Sequence, residues 1–288
     1  MSRIELDDDM LRSVQLTELE ILIEVDRICR KLDISYNIIA GTMLGAVRHG
    51  GFIPWDDDAD VAMLRDEYER FREACRTELD ESRFYFQEMR DTEGYRWGYG
   101  KIRRKDTLFL RQYQEDMPYE QGVFVDIFPL DAVPDKWALR AVKNLECYCV
   151  RKFLWSKIGK KADGSALKRA VFSAMDMVPL KAVSAYYMNM VSRAGKLKGS
   201  AWVRILMFPT PNREYGYKRK WYTGYEDIEF EGVTFRGVVD PDDYLSFKFG
   251  EYMALPPESE RKAHPVSDIV VPDVRSLETM HEEYLRYI

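Results

Sequence analysis

The sequence is poor in the residues that stabilise small secreted proteins and in the long apolar runs that cross membranes. Its 288 residues include only four cysteines and three histidines. The histidines are far in sequence from the cysteines, which argues against a zinc site and favours reduced thiols. No charge-free apolar run approaches the ~18 residues that a transmembrane helix needs. The N-terminal segment around Asp7–Asp9 is acidic, where an export signal would be basic and then apolar. We therefore expect a cytoplasmic protein.

The overall composition is that of an ordered globular chain. Hydrophobic residues make up 46% and aromatic residues 13%, which excludes collagen and low-complexity disorder. A chain of this length can bury one large core or two fused lobes. The net charge of −6 and the lack of a recognisable nucleic-acid module argue against a nucleic-acid partner.

Helix and strand patterns alternate through the first half, which predicts an α+β (α/β mixed) fold. Apolar residues at three and four spacing predict a helix from Asp8 to about Leu32, and short β-branched or aromatic runs predict strands near 34–40, 84–89, 99–103, 107–110 and 123–128. We divide the chain into a catalytic core at 1–134, a helical insertion at 135–200, and a part at 201–288 that completes the core and donor site. The prolines of 129–134 mark the first boundary.

The insertion begins with a basic segment. Residues 135–170 contain ten Lys and Arg against three acids, a local balance of +7. Two interpretations remain open for this segment. It forms a solvated helix face, or it faces an anionic substrate or an anionic membrane surface.

The most informative stretch runs from Gly41 to Val61. A Gly-Thr turn after a strand lets backbone N–H groups and the Thr42 hydroxyl approach a phosphate. Asp58 and Asp60 alternate at the start of an apolar strand, so both carboxylates project to one face. Two carboxylates on one face repel each other unless a cation lies between them, and hard oxygen ligands favour Mg²⁺ or Mn²⁺. The alternative is a solvated acidic turn.

Three segments resemble a known family. Gly41-Thr42 followed by Asp58-Ala59-Asp60 resembles the nucleotidyltransferase superfamily pattern, and the longer stretch GTMLGAVRHGGFIPWDDDADVAM resembles the signature of the LicD family of phosphocholine and phospho-alditol transferases. Two later stretches, GVFVDIFPLDAVP at 122–134 and DPDDYLSFKFGEYMALPPESERKAHP at 240–265, are similar to later LicD blocks. The resemblance therefore spans most of the chain outside 135–200.

The resemblance implies roles for individual residues. Asp58, Asp60 and Asp126 match the catalytic and metal-binding acids, and Asp126 would complete a metal triad or take the proton of the acceptor hydroxyl. Gly41 and Thr42 match the turn on the phosphate side. The basic side chains Arg48 and Lys101 are expected to face the diphosphate, and Arg103 shares a strand face with Lys101. Residues of lower priority are the acids Asp56 and Asp57, His264, and a candidate donor-pocket group of Tyr244, Phe249, Gly250, Tyr252 and Met253.

The expected activity follows from the same resemblance. A CDP-linked donor, most simply CDP-choline, loses CMP while its phospho-substituent passes to a sugar hydroxyl of a cell-surface glycan or lipid-linked glycan precursor. A choline headgroup calls for aromatic side chains, and the stretches 95–99 and 221–225 are candidates to supply them. The basic insert is a candidate for peripheral contact with the inner membrane face. Two other functions stay open, namely transfer of NMP from an NTP and non-catalytic binding of a nucleotide or glycan.

Overall fold

A computed structural model describes residues 3–288. Its helices are α1 (Asp8–Lys31), α2 (Ala40–His49), α3 (Arg65–Glu78), α4 (Trp137–Ala162), α5 (Ala166–Asp176), α6 (Leu180–Gly195), α7 (Pro241–Phe249) and α8 (Leu277–Tyr284). Its strands are β1 (Asn37–Ile38), β2 (Asp60–Leu64), β3 (Phe84–Gln87), β4 (Gly100–Arg104), β5 (Leu108–Arg111), β6 (Phe124–Val133), β7 (Trp202–Arg204), β8 (Tyr217–Lys218), β9 (Glu226–Phe230), β10 (Val233–Gly237) and β11 (Val266–Val270). The predicted mixture of helices and strands is confirmed.

A mixed sheet forms the centre of the molecule. Its strand order is β3-β4-β6-β2-β1-β10-β9, and β7 and β8 extend it from the distal half of β6. The pairs β2–β6 and β1–β10 are parallel, and the other pairs are antiparallel. A separate ribbon of β5 and β11 lies beside this sheet. The core therefore has the layered α+β architecture that the alternating patterns predict.

Helix α1 is buried more completely than a surface helix. The Asp7 side chain caps it by accepting a hydrogen bond from the Met10 N–H at 2.8 Å. The helix packs against the sheet through β4 and β6 and also against α3 and α8. Because it has neighbours on several sides, Leu19 is buried although it lies off the predicted apolar stripe, and Glu18 is buried as well.

Strand β6 runs farther than the sequence predicts. We expected a boundary at the prolines of 129–134, but the strand continues through Pro129 to Val133. The Asp126 N–H points to β2, where it donates to the Ala59 carbonyl at 3.0 Å, so the nitrogen of Pro129 points to the opposite side of β6. Along that side β4 pairs only to Ile127 and β7 begins only at Asp131. The missing N–H of Pro129 therefore removes no ladder hydrogen bond.

The insertion after β6 is helical, as predicted. Helices α4, α5 and α6 follow one another, and inner side chains of α4 and α6 form a second small core with the end of β6, which includes Val133, Cys147, Leu154, Tyr187 and Met190. All four cysteines are free thiols. Within residues 3–288 we find no helix with the length and apolarity needed to span a bilayer.

Candidate functional site

Three polar residues lie side by side across neighbouring strands. Asp60 of β2 is in register with Asp126 of β6, and Asp126 is in register with Lys101 of β4. Residues in register on adjacent strands project to the same face of a sheet. We call Asp60, Asp126 and Lys101 the polar row. The sequence placed all three in the site, and the sheet brings them together.

Two further carboxylates join the polar row from the loop before β2. Asp58 lies two residues before Asp60 and is half-buried. Asp56 folds back over the first turn of α2, where a Cβ added to Gly41 would lie 2.6 Å from Asp56 Oδ2. Gly41 is thus needed for the close approach of a carboxylate to the helix N-terminus. We refer to Asp56, Asp58, Asp60 and Asp126 as the carboxylate cluster.

The carboxylate cluster carries more negative charge than its surroundings neutralise. Burial, together with the charges of Asp58 and Asp126, raises the pKa of Asp60 well above its usual range. Burial and the neighbouring Asp58 and Asp57 raise the pKa of Asp56 to about 8. Among residues 3–288, no donor forms a hydrogen bond to the carboxylate of Asp58 or of Asp60 within 3.5 Å. Like charges held together in this way favour a bound cation.

The donor set fits a hard divalent cation that is completed by substrate oxygens. Mg²⁺ is usually held by one or two carboxylates together with phosphate oxygens and water. Within residues 3–288, no three acidic, histidine or cysteine side chains already stand as close together as a metal cage requires. The role of Asp58, Asp60 and Asp126 as a metal triad therefore stays a prediction.

Lys101 is the cation of the polar row. Its ammonium group donates a hydrogen bond to Asp126 Oδ1 and lies 3.2 Å from the centre of the Phe124 ring. Burial lowers the pKa of Lys101 to about 8, although Asp126 acts in the opposite direction. Arg103 lies on the same strand face, as predicted, and donates to Gln87 Oε1 and the Gly122 carbonyl at 2.8 and 2.6 Å.

Arg111 is a site residue that the sequence analysis missed. It ends β5, and its Nη2 lies 3.4 Å from Asp57 Oδ2 and 3.6 Å from Asp58 Oδ2. Burial works to lower the pKa of Arg111, but the charges of Asp57, Asp58 and Asp126 outweigh it and raise that pKa. Nothing in the local sequence of β5 indicates this contact, which depends on how the β5–β11 ribbon folds against the site.

His264 reaches the site through Asp57. Both its backbone N–H and its Nδ1 contact Asp57 Oδ1, at 3.1 and 2.8 Å. The hydrogen bond to Asp57 raises the pKa of His264. Burial opposes ionisation of Asp57, yet the bonds from His264 and the charge of Arg111 lower its pKa overall. Asp57 therefore ties the segment before β11 to the acidic loop.

Thr42 and Arg48 lie at opposite ends of α2. The Thr42 hydroxyl accepts a hydrogen bond from the Asp60 N–H at 2.8 Å, so it holds the first residue of β2 in place. Arg48 is in the last turn of α2 and donates to the carbonyl oxygens of Tyr252 and Ala254 at 2.8 and 3.3 Å. The structure brings Thr42 to the carboxylate cluster and does not bring Arg48 there.

The cleft beside the carboxylate cluster has a volume of about 480 Å³. Asp58, Lys101, Arg103, Arg111 and Asp126 supply its charged lining, and the aromatic residues Trp97, Tyr99, Trp155 and Phe208 supply much of the apolar part. A cleft in which charged groups converge beside an aromatic wall is typical of a small-molecule site.

Only one of the two aromatic candidates lines this cleft. Trp97 and Tyr99 of the 95–99 stretch do so, whereas Trp221 and Tyr222 are buried in the core against Tyr244. The Trp221 Nε1–H donates to Asp243 Oδ2 at 3.1 Å. None of the candidate donor-pocket residues lines the cleft either, a group that comprises Tyr244, Phe249, Gly250, Tyr252 and Met253.

Sequence comparison relates this chain to LicD proteins. A family model described as the nucleotidyltransferase domain of LicD/FKTN/FKRP matches residues 33–138. A relative named lipopolysaccharide cholinephosphotransferase LicD, from Haemophilus influenzae, is 29% identical over 272 residues, which cover 91% of this chain and 98% of the relative. This chain contains a LicD-type nucleotidyltransferase domain. An uncharacterized Rickettsia typhi protein is 37% identical over 54 residues, or 19% of this chain and 18% of that protein.

The LicD domain match covers the whole carboxylate cluster together with Lys101 and Arg111. It ends in the first residues of α4, so most of the helical insertion and His264 lie outside the matched region. The matched domain therefore contains the polar row and the acidic loop. It leaves open what the insertion adds.

Proposed function

We propose that this protein is a metal-dependent transferase that moves phosphocholine from a CDP-linked donor to a sugar hydroxyl of a cell-surface glycan precursor and releases CMP. The observation that carries the proposal is the polar row, with Asp58 beside it, at the edge of a cleft in a chain with a LicD-type nucleotidyltransferase domain. The Haemophilus influenzae relative is named for phosphocholine transfer to lipopolysaccharide.

Asp58, Asp60 and Asp126 are the residues that would hold the metal ion, Mg²⁺ or Mn²⁺. Such an ion neutralises negative charge on a transferring phosphoryl group and helps to position it. Asp60 is fixed for this role by its N–H bond to Thr42, and Asp126 by its bond to Lys101.

In the proposed reaction, phosphocholine passes directly from donor to acceptor, without a covalent enzyme intermediate. The acceptor hydroxyl oxygen forms a bond to the phosphorus that carries choline, the bond from that phosphorus to the CMP oxygen breaks, and the hydroxyl proton passes to a carboxylate of the cluster. Lys101 and Arg111 lie on the cleft wall and offset the negative charge of the diphosphate and of the leaving CMP. A water-poor, pre-arranged site makes such charges more effective than they are in water.

The direct test is product analysis with the full chain. With Mg²⁺, CDP-choline and lipopolysaccharide we expect release of CMP and transfer of labelled choline to the glycan. Asp60→Asn should lower this rate by at least about 100-fold, whereas Asp66→Asn, an exposed acid on α3 paired with Lys198, should leave it unchanged. CDP-ethanolamine, CDP-ribitol and CDP-glycerol in place of CDP-choline identify the headgroup.

The same assay separates the rival functions. Because the family model carries the description of a nucleotidyltransferase domain, CTP and ATP are tested with the same acceptor. Pyrophosphate release with an NTP and no CMP from any CDP-alcohol would replace our proposal by NMP transfer. Binding of CDP-choline without turnover of any substrate would indicate a non-catalytic binder.

We also propose that the helical insertion contacts an anionic membrane face that presents the acceptor. Several large apolar side chains there are exposed, among them Val142 at 67% and Leu167 at 76%, and such residues beside basic ones favour an anionic bilayer. Flotation with vesicles of phosphatidylglycerol, but not of phosphatidylcholine, would support this contact. Leu167→Glu should weaken it, and equal flotation of this variant would contradict it.

A further inference from the structure

Two more cavities lie next to the cleft along α4. A cavity of about 280 Å³ shares Trp97, Trp155 and Phe208 with the cleft. A third cavity, of about 490 Å³, shares Arg151 and Pro209 with the second. The three cavities are thus neighbours with common wall residues, and we call them together the α4 groove.

The α4 groove is long compared with one sugar. From Trp155, which lines both the cleft and the second cavity, it follows α4 back to Asn144 in the third cavity. These two residues are eleven positions apart, which corresponds to about 16 Å of helix at 1.5 Å per residue. Beyond the carboxylate cluster there is therefore room for several linked sugar rings.

The part of the groove beyond the cleft is lined by cations and by no acid. Arg151 and Lys152 line the second cavity, Arg151 lines the third, and neither cavity has an Asp or Glu in its wall. In the described part of the chain, neither of these two cations forms a salt bridge within 4 Å or a side-chain hydrogen bond. Most other basic residues of the insertion do have acidic partners, as Lys160 has in Asp176 and Lys161 in Asp116.

A third cation stands behind this wall. Arg204 is fully buried and donates through Nη1 to Asn144 Oδ1 at 3.0 Å. Its Nε and Nη2 have no hydrogen-bond partner among residues 3–288. A buried cation without a counter-charge is costly. The positive charge of Arg204 therefore makes the electrostatic potential at this end of the groove favourable for an anionic ligand.

The aromatic part of the groove is a wall and not a cage. The ring centres of Trp97 and Trp155 are 5.8 Å apart, and those of Tyr99 and Phe208 are 6.1 Å apart. These rings contact one another, which leaves no space between them for a quaternary ammonium group. With Arg151 and Lys152 beside it, the wall disfavours a choline cation and suits the apolar faces of sugar rings.

We propose that the α4 groove binds the acceptor as an extended oligosaccharide that carries anionic substituents. Trp155 packs against the sugar next to the reacting hydroxyl, and Arg151 and Lys152 bind phosphate or carboxylate groups on the sugars beyond it. A bilayer is too broad to enter the groove, so this site is distinct from any membrane contact of the insertion. The assignment of the ligand as the acceptor rests on the proposed transferase function.

The test measures oligosaccharide binding to the full chain by calorimetry without any donor. The probes are the core oligosaccharide released by mild acid from Haemophilus influenzae lipopolysaccharide and the same material after its phosphate has been removed with hydrofluoric acid. We expect the phosphorylated probe to bind at least tenfold more tightly. Arg151→Glu should weaken its binding at least tenfold and Arg151→Gln less, whereas Lys181→Glu, the same charge change on α6 outside all three cavities, should have no effect.

Several results would overturn the proposal. These are no binding of either probe, equal binding of the two probes, or unchanged binding by Arg151→Glu. Loss of phosphatidylglycerol vesicle binding in Arg151→Glu with oligosaccharide binding intact would assign these cations to a membrane surface instead. CMP release from CDP-choline is measured separately, and its absence would refute the transferase function while the binding data still decide the groove.

Discussion

Replacing Lys101 by Met should reveal whether Asp126 binds a metal ion. The ammonium group of Lys101 is buried and bonded to Asp126, and its pKa of about 8 leaves most of it charged at pH 7. Removing one member of a buried ion pair leaves the other charge uncompensated, which costs about 3–5 kcal/mol. For a chain of this length the unfolding entropy is about 0.6 kcal/mol per degree, so in EDTA we expect a fall in Tm of about 5–8 °C.

Mg²⁺ should remove much of this loss if Asp126 contributes to a metal site. In Lys101→Met the freed carboxylate is available to the ion, so the Tm difference from wild type should shrink in 10 mM Mg²⁺ because a ligand that binds only the folded state stabilises it. Differential scanning calorimetry in EDTA and in Mg²⁺ measures both values.

Arg65→Met is the matched control for this experiment. Arg65 forms a buried pair with Asp131, five residues farther along β6, with bonds of 2.9 and 2.6 Å. The loss in this variant should be similar in size and the same in EDTA and in Mg²⁺. If Mg²⁺ leaves the Lys101→Met deficit unchanged, or relieves both variants equally, Asp126 is not a metal ligand.

Three further outcomes are expected. Gly45→Ala should lower the free energy of unfolding, measured by urea denaturation, by about 1–3 kcal/mol, because the new Cβ would lie 2.4 Å from the Gly51 carbonyl oxygen. Gly164→Ala should be neutral, since no atom lies within 4 Å of its Cβ position. Equal stabilities of the two variants would contradict the packing argument. Arg111→Gln should lower kcat for phosphocholine transfer by at least about 100-fold, and a normal kcat would remove Arg111 from the site. Glu146→Gln should lower Tm at pH 7, because hydrogen bonds from Arg193, Lys143 and Tyr186 outweigh burial and depress the pKa of Glu146 to about 2. The stabilisation by the Glu146 carboxylate is lost as the pH falls from about 5 to 2. A Tm difference between the variant and wild type that persists below pH 2 would refute this explanation.

The local parts of the fold were predictable because they depend on local patterns. Helix α1 and the strand that begins at Asp60 both follow from side-chain periodicity. Asp58, Asp60, Asp126 and Lys101 were placed in one site by motif and resemblance, and the sheet register brings them together. Their metal-binding role awaits measurement.

The features that were missed depend on contacts between distant segments. Arg111 comes close to the acidic loop only through the folding of β5 against the site, and no nearby sequence signal indicates it. The basic balance of 135–170 was overestimated because Asp116 and Asp176, which lie outside that window, neutralise part of it. Pro129 was interpreted as the end of a strand because a proline usually interrupts a sheet. In the structure it lies between the ends of β4 and β7, where β6 needs no N–H donor, and this position depends on strand pairing that the local sequence does not reveal.

Strand β6 connects the carboxylate cluster directly to the helix that lines the α4 groove. Its first half carries Asp126, and its far end leads through a short turn into α4, whose residues line the groove. Substitutions along α4 can thus alter which glycan is accepted while the reactive centre keeps its geometry. Such an arrangement suits diversification: across LicD-family enzymes that deliver one headgroup to different surface polysaccharides, we expect variation to concentrate on this helix and to spare the polar row.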